Sequence, residues 1–439
     1  MDFILAIVIF TVSLVYSIFN QISTIIPLVI GMVSFSAAAL HRGHKLKSII
    51  QMILRGMKKS LSLMPIFALI GMITALWRAS GTIPFFVYYG TIIMNPNYFI
   101  LFAFLLSCFV SFVLGTSFGT AGTIGIVLMV LAKSGGVNIY MAAGAAISGA
   151  FFGDRCSPVS SSANLVAIVT ETNLYDNVKR MFVTGALPFI ASVLVYLFLS
   201  KGNPINVTNN PLIDEFSFYF NLNAATILPA FIIFLLAAFK KSVKVSMLCS
   251  IITAIFVSYY FQNLTLQEII KAMLTGYELK ADSQLSGIIS GGGLMSMVSV
   301  SFVVLIASSY SGIFEGTDML HDIQGFLVKM SEKAGVYITT VFTSIVTCAF
   351  CCNQTLPILL TYDLMRNIYT EKGLTKNHIA IDIENTVILI AELFPWSVAI
   401  AVPLATMGVD AKAIPYAVFL YFVPLMAHLP DLIIKRRER

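Results

Sequence analysis

Apolar runs alternate with short polar segments along the whole chain, and the first two runs cover 3–19 and 22–40. Each is close to the ~20 residues that a membrane-spanning helix needs. Continuous and interrupted runs then fill 60–200, and a second set of similar runs fills 285–434. The pattern predicts an all-α polytopic membrane protein with about 10–14 membrane segments.

Composition supports this class. The chain has 439 residues, of which 58% are hydrophobic and 11% are charged, whereas soluble proteins carry about 25% charged residues. No phosphate-binding loop of the form GxxxxGK followed by Ser or Thr occurs, so we expect no direct ATP coupling and no cofactor. The sequence also lacks a Ser/His/Asp set, a zinc motif and paired intramembrane aspartates, so we do not expect an enzyme.

The basic residues indicate topology. The net charge is +6, but Lys and Arg lie in short loops between apolar runs, which argues against nucleic-acid binding. Residues 41–59 carry six Lys or Arg and no acidic residue, so the positive-inside rule places this loop in the cytoplasm. The same rule places the basic tail at 435–439 inside. We expect a multi-pass protein of the cytoplasmic membrane with both termini in the cytoplasm.

The predicted organisation has five parts. They are N-terminal helices with a cytoplasmic basic loop (1–59), a first repeat (60–200), a linker with two helices (201–284), a second repeat (285–434) and a cytoplasmic tail (435–439). Thr116 and Asn353 are each followed by a proline at the same separation, and the two repeats begin on opposite sides of the membrane. We therefore predict inverted repeats, which bind substrate near the midplane where broken helices meet.

The stretch from Gly115 to Asn164 is the predicted site. Two apolar passages there are interrupted by glycines, hydroxyl residues and a proline. In lipid, backbone outside the helical ladder is tolerated only where protein or a water-filled cavity satisfies its polar groups. We therefore expect broken or re-entrant helices that line a binding cavity.

Asp154 is a lone carboxylate in an apolar passage, and burying its charge in the bilayer costs several kcal/mol. It should face a cavity or a partner. Arg155 is a candidate partner only if the backbone breaks at 156–158, because adjacent helical residues point about 100° apart. Two interpretations stay open: Asp154 binds an ion, or it caps the following half-helix.

Hydroxyl and amide oxygens suit Na⁺, and the N–H groups at a half-helix start suit a carboxylate. A serine-rich helix start that only caps itself is the alternative. In the first repeat we select as binding residues Asp154, Ser157, Ser160, Ser161, Asn164, Thr116, Ser117 and Thr120.

In the second repeat, Asn353, Gln354 and Thr355 are polar side chains between apolar runs. Glu392 either carries a coupling proton or is simply buried and protonated. Secondary candidates are Glu384, Asn385 and Arg155, and Asp382 ranks low with Glu384 because both lie nearer a polar loop. The predicted Na⁺ ligands are Asp154, Ser157 and Asn353.

Three segments, 76–90, 115–129 and 147–167, resemble the signature segments of the NhaC-type sodium/proton antiporter family. That family also contains exchangers and carriers of small organic acids and amino acids. The similarity covers most of the chain from about 60 to 430, but in the second half it thins to 371–386 and 394–399. The resemblance implies a secondary transporter with two inverted repeats and broken or re-entrant helices.

Three departures from the family pattern replace carboxylates by neutral residues. This chain has Ser160-Ser161-Ser162-Ala163 for the usual Ser-Asp-Thr-Thr, Cys352-Asn353-Gln354 for Gly-Asp-Gln, and Ile383-Glu384-Asn385 for Leu-Glu-Asp. A sodium/proton exchanger needs a carboxylate that holds Na⁺ and H⁺ in turn, so these losses favour solute transport.

We therefore predict Na⁺- or H⁺-coupled transport of a small carboxylate-bearing metabolite, an amino acid or organic acid, by alternating access. The alternative is Na⁺/H⁺ antiport with Asp154 and Glu392 as the exchanging carboxylates. A channel ranks third and an intramembrane enzyme fourth. The expected partners are the small-molecule substrate and the lipid bilayer, and a homodimer is compatible with the sequence.

Overall fold

The computed structural model describes residues 2–19, 25–61, 64–93, 95–205, 211–239, 241–280, 284–317, 324–351 and 353–428. The predicted tail and Cys352 lie outside these residues. β structure in the described ranges consists of an isolated bridge between Tyr277 and Gly291.

The first half of the chain forms helices, which are interrupted at the predicted break at 115–116 and by a loop at 157–160. They are α1 Asp2–Phe19, α2 Ile25–His41, α3 Leu46–Ser60, α4 Met64–Ala79, α5 Thr82–Ile93, α6 Phe99–Leu114, α7 Ser117–Thr120, a π-helical turn Ala121–Gly125, α8 Ile126–Ser134, α9 Ile139–Cys156, α10 Ser161–Thr170 and α11 Leu174–Gly202.

The second half continues in the same way. Its helices are α12 Pro211–Tyr219, α13 Leu228–Ala238, α14 Val243–Tyr260, α15 Leu266–Thr275, α16 Gln284–Ile289, α17 Val298–Thr317, α18 Gln324–Ala334, α19 Val336–Cys351, α20 Thr355–Glu371, α21 Lys376–Asn385, α22 Val387–Ile390, α23 Val398–Met407 and α24 Val418–Met426. A 3₁₀ turn, Leu294–Met297, leads into α17.

The helices have the length and composition of a multi-pass membrane protein. Among the described residues, 5 helices are long and apolar enough to cross a membrane, or up to 7 if each strongly bent pair is one span. The bent pairs are Met64–Ala79 with Thr82–Gly90, at 63°, and Lys376–Leu393 with Val398–Met407, at 54°. Shorter apolar helices of 10–17 residues accompany them. The all-α polytopic class is thereby confirmed.

The chain forms two compact units. We call one the Glu392 unit, which comprises Met1–Met64, Leu165–Arg180 and Ser299–Ala401. The other is the Asp154 unit, which comprises Pro65–Asn164, Met181–Val298 and Val402–Arg439. Each contains segments of both predicted repeats, and the inverted relationship of the repeats stays a prediction.

In the Glu392 unit, the segment predicted as a basic loop contains helix α3. Ile49 and Met52 are buried, whereas Ile50 and Leu54 are exposed, so α3 presents one face to the protein. Gly56 lies on the buried face, where an added Cβ would lie 2.8 Å from the backbone N of Gly312 in α17. This amphipathic spacing makes a helix of a segment whose charge alone suggested a loop.

In the Asp154 unit, α6 and α9 pack closely because α9 presents glycines. A Cβ at Gly149 would lie 2.5 Å from the carbonyl O of Phe104, and one at Gly153 would overlap Ser111. Positions four apart share one helix face, so these glycines form a smooth strip along α9. This packing brings the C-terminal ends of α6 and α9, where both helices break, to the same place.

Candidate functional site

The first break follows α6. Gly115 adopts the left-handed conformation with φ 65°, and Thr116 is extended. The Thr116 hydroxyl then accepts the N–H of Gly119 at 3.5 Å, which caps α7. The helix is therefore interrupted at the position where the glycines and hydroxyl residues predicted a break.

The second break follows α9. Ser157 is extended, and its hydroxyl donates to the carbonyl O of Phe112 in α6 at 2.7 Å. The side-chain amide of Asn164 donates to the carbonyl oxygens of Pro158, at 3.2 Å, and Ser160, at 2.6 Å. Backbone carbonyls that leave the helical ladder thus find partners inside the protein, as a membrane interior requires.

The two breaks touch each other. A Cβ at Gly115 would lie 2.8 Å from the carbonyl carbon of Val159 and 3.0 Å from the N of Ser160. Glycine is required at Gly115 for this close approach and for its positive φ. Hydroxyls on both breaks can therefore reach one point.

That point is the carboxylate of Asp154, whose side chain lies on the last turn of α9 and is 5% exposed. Ser117 donates to Oδ2 at 3.2 Å and Ser160 donates to Oδ1 at 3.0 Å. The hydroxyl of Ser162 is a further hydrogen-bond partner. We call these four residues the Asp154 cluster. A carboxylate with three hydroxyls offers the hard oxygen ligands that Na⁺ or H⁺ can use.

Ser160, and not Asp154, caps the helix that follows the second break. The Ser160 Oγ accepts the N–H groups of Ser162 at 3.1 Å and Ala163 at 3.3 Å, so it caps α10. Because Ser160 performs this role, the Asp154 carboxylate is directed at hydroxyls. Hydroxyl groups, and not the backbone of α10, are the partners that the structure gives the Asp154 carboxylate, and ion binding by Asp154 stays a prediction.

Some predicted residues lie outside the cluster. Ser161 is exposed, whereas Ser162, which we did not select, reaches Asp154. The side chain of Thr120 donates to the carbonyl O of Thr116 at 2.9 Å. Adjacent positions of a helix point about 100° apart, so the helical phase of α10 decides between the two serines. No signal in the sequence fixes that phase.

Arg155 is fully buried, with 0% exposure. Its Nη2 donates to the hydroxyl of Thr184 in α11 at 2.9 Å, and Nη1 contacts the Sγ of Cys156 at 3.4 Å. Gly185 lies beside the guanidinium, since a Cβ there would be 2.7 Å from Nη1. Arg155, which we predicted as a local partner of Asp154, thus directs its guanidinium to Thr184 in α11.

A third break, at 353–354 between α19 and α20, holds the predicted residues of the Glu392 unit. The Asn353 Oδ1 accepts the N–H of Leu356 at 3.0 Å. Gln354 donates through Nε2 to Glu392 Oε1 at 3.4 Å and to the carbonyl O of Ile388 at 3.1 Å. The structure thus joins Gln354 to Glu392, whereas Thr355 is exposed.

Asp382, Glu384 and Asn385 are more deeply buried than we expected. Glu384 and Asn385 are 0% exposed and Asp382 is 5% exposed, and the low rank of Asp382 and Glu384 as site residues stays a prediction. The hydroxyl of Tyr369 donates to Asp382 Oδ2 at 2.6 Å. The reason is that the polar loop ends where α21 begins, and the next turns of α21 pack in the core of the unit.

A row of buried hydroxyls on α19 was not among the predicted residues, namely Thr339, Thr340, Thr343, Ser344 and Thr347. Ser344 donates to Thr386 at 2.9 Å, and Thr347 lies 2.8 Å from the hydroxyl of Thr361. These residues recur at three- and four-residue spacing, which is the pattern of one helix face. That spacing was the available signal.

The Asp154 cluster and the Glu392 residues belong to different compact units. Their predicted convergence at the bilayer midplane stays a prediction, as does Na⁺ binding by Asp154, Ser157 and Asn353.

Membrane-length helices interrupted at buried polar clusters are the construction of a multi-pass secondary transporter. The family model described as the Na⁺/H⁺ antiporter family matches residues 2–163 and 149–429, and the chain belongs to that family. It is accordingly a membrane transporter and not an enzyme.

Relatives extend over most of the chain. An uncharacterised Na⁺/H⁺ antiporter of Haemophilus influenzae is 28% identical over 86% of this chain and 83% of its own. The Na⁺/H⁺ antiporter NhaC of Bacillus subtilis is 29% identical over 92% of this chain and 91% of its own. The malate-2H⁺/Na⁺-lactate antiporter of the same species is 25% identical over 81% of this chain and 77% of its own.

Proposed function

We propose that the protein couples Na⁺ or H⁺ movement to transport of a small carboxylate-bearing metabolite by alternating access. The observation that carries this proposal is the Asp154 cluster, in which one buried carboxylate gathers hydroxyls from two helix breaks.

The cluster suits a coupling ion for an electrostatic reason. An ionised carboxylate inside a membrane is costly, and hydroxyl donors offset only part of that cost. A bound Na⁺ or a proton neutralises the charge, and the hydroxyl of Ser117, which donates to Oδ2, can present a lone pair to a cation. The cluster would therefore be occupied by a cation during part of each transport cycle.

Two observations favour a carboxylate substrate. The relative in Bacillus subtilis is named for malate and lactate, which are both small organic acids. Ser161, Asn353 and Asn385 are neutral at positions where the NhaC-type pattern has carboxylates. An amino acid belongs to the same chemical class, since it also carries a carboxylate.

Na⁺/H⁺ antiport is the second candidate. The observation that favours it is the burial of Asp382, Glu384 and Glu392, since these provide buried carboxylates other than Asp154. In that case Asp154 and Glu392 exchange Na⁺ and H⁺ and no organic solute moves. We place the protein in the cytoplasmic membrane with both termini inside, and a homodimer fits this function.

Uptake into proteoliposomes tests the proposal. Liposomes with purified protein receive labelled malate, lactate or an amino acid under an inward Na⁺ gradient, under a pH gradient, or under neither. We expect one gradient to drive accumulation of at least one carboxylate above the level in protein-free liposomes. Na⁺-driven pH change without uptake of any carboxylate would instead support the second candidate.

A further inference from the structure

A cleft in the Asp154 unit lies apart from the Asp154 cluster. Its volume is about 230 Å³, and it is lined by α4, α8, the segment from Ile288 to Met297 and the end of α23. None of the four residues of the Asp154 cluster lines it.

Two cations face this cleft. Arg78 ends α4, and its Nη1 donates to the carbonyl O of Thr74 at 2.7 Å. Lys133 lies at the end of α8 and is exposed. The described lining residues include no Asp or Glu, so the cleft has a positive charge. The Nε of Arg78 is buried and has no hydrogen-bond partner in the described part of the chain.

Glycines lie beside both cations. A Cβ at Gly291 would lie 4.0 Å from Nη2 of Arg78, and a Cβ at Gly408 would lie 3.9 Å from Nζ of Lys133. Gly291, Gly292 and Gly293 have φ values of 133°, 79° and 84°, which L side chains rarely adopt. The loop is fixed in place, since the Gly293 N–H donates to the carbonyl O of Gly71 at 2.7 Å.

The glycine loop leads into a helix. The 3₁₀ turn that begins at Leu294 continues directly into α17. The first turn of a helix leaves N–H groups without intrahelical partners and carries a partial positive charge. This end of the helix therefore adds to the attraction that Arg78 and Lys133 exert on an anion.

An independent observation also indicates a ligand. Thr406 lines the cleft and is 7% exposed, yet its Oγ1 has no hydrogen-bond partner among the described residues. Buried hydroxyls in folded proteins nearly always have a partner. A ligand oxygen in the cleft would supply one.

We propose that this cleft binds the carboxylate of a small organic anion, with Arg78, Lys133 and Thr406 as its polar contacts. The proposal rests on the proposed function, since it assigns that carboxylate a site. Arg78 can contact a carboxylate through two N–H groups, and Lys133 can neutralise a second one. The cleft is smaller than the ~300–1,000 Å³ of drug-sized pockets, so it fits an acid of a few carbon atoms.

Equilibrium binding to the purified full-length protein tests this site. Titrations use malate, lactate, inorganic phosphate and chloride at constant Na⁺ and ionic strength. We expect R78Q to weaken malate binding at least ~10-fold, because this is the effect of losing one charge-assisted hydrogen bond. K133Q should weaken malate more than lactate, because lactate has one carboxylate. T406V should weaken both acids by a smaller factor.

The matched control is R366Q, because Arg366 is an exposed arginine that pairs with Asp363 at 3.1 Å. R366Q should bind as the unaltered protein does. Should R78Q unfold, K133Q and T406V carry the test, since Lys133 is exposed and T406V preserves side-chain shape.

The outcomes separate this inference from the proposed function. If the protein transports a carboxylate but K133Q, T406V and folded R78Q bind it with unaltered affinity, the cleft is not the site and the proposed function stands. If R78Q weakens anion binding but phosphate and chloride are the anions that bind, the assignment to carboxylates is wrong. If the protein neither binds nor transports a carboxylate while Na⁺/H⁺ exchange persists, both proposals fail.

Discussion

Two regions place a carboxylate beside a helix break, and they differ in its partners. Asp154 gathers hydroxyls from Ser117, Ser160 and Ser162, whereas Glu392 accepts a hydrogen bond from the side-chain amide of Gln354. A hydroxyl such as that of Ser117 can turn its oxygen from the carboxylate to a cation, whereas the Gln354 group that contacts Glu392 is the Nε2 donor. We therefore propose that Asp154 holds a coupling cation and that Glu392 carries a proton.

The largest expected effect is that of D154N, which removes the charge that a coupling ion neutralises. Gradient-driven uptake should fall to the level of protein-free liposomes. The control is D176N, since Asp176 is exposed and pairs with Lys179 at 3.9 Å, and it should transport normally. Normal coupling in D154N would remove the distinction between the two regions.

E392Q should have the next largest effect, and the effect should differ in kind from that of D154N. Because we assign Glu392 a proton, the variant should flatten the dependence of transport rate on pH while leaving Na⁺ affinity near that of the unaltered protein. Rate measurements across pH 5 to 9 at saturating and at limiting Na⁺ check this. A large loss of Na⁺ affinity in E392Q would show that both carboxylates share one role.

Single serines sharpen the comparison further. S160A and S162A should each raise the Na⁺ concentration for half-maximal transport by about 10-fold, which is typical of residues that support an ion ligand. S161A is the matched control, because Ser161 is exposed on the same helix turn. Equal effects of S161A and S162A would contradict the helical phase seen in α10.

The breaks were predictable, but the side chains that meet there were only partly so. Gly115, Pro158 and Asn353 interrupt apolar runs, and physical chemistry forbids such interruptions against lipid. The partner of Arg155 lies on α11, a contact that depends on tertiary packing. The hydroxyls of α19 showed a helical spacing that we did not use.

The smallest expected effect concerns an exposed pair of the Glu392 unit. Lys376, at the start of α21, hydrogen-bonds to Glu171, which follows α10, and this contact lowers the pKa of Glu171 below its usual value. A carboxyl group whose pKa is lowered in the folded state stabilises that state at pH values above its pKa in the unfolded state. This contribution is lost as the pH falls through the folded-state pKa.

E171Q should therefore lower the melting temperature slightly at pH 7, and the difference from the unaltered protein should vanish under acid. The effect is small because water screens exposed ion pairs. E371Q changes another exposed glutamate and is the control. A difference that grows as the pH falls would have the wrong sign for this pair.

Direct binding of radioactive Na⁺ to the purified protein tests the central claim, that the Asp154 cluster holds the coupling cation. The account predicts saturable Na⁺ binding that D154N abolishes, that S160A weakens and that E392Q and D176N leave intact. If H⁺ alone is the coupling ion, the account predicts no Na⁺ binding but one proton fewer taken up by D154N on acidification. Saturable Na⁺ binding that persists in D154N would contradict it.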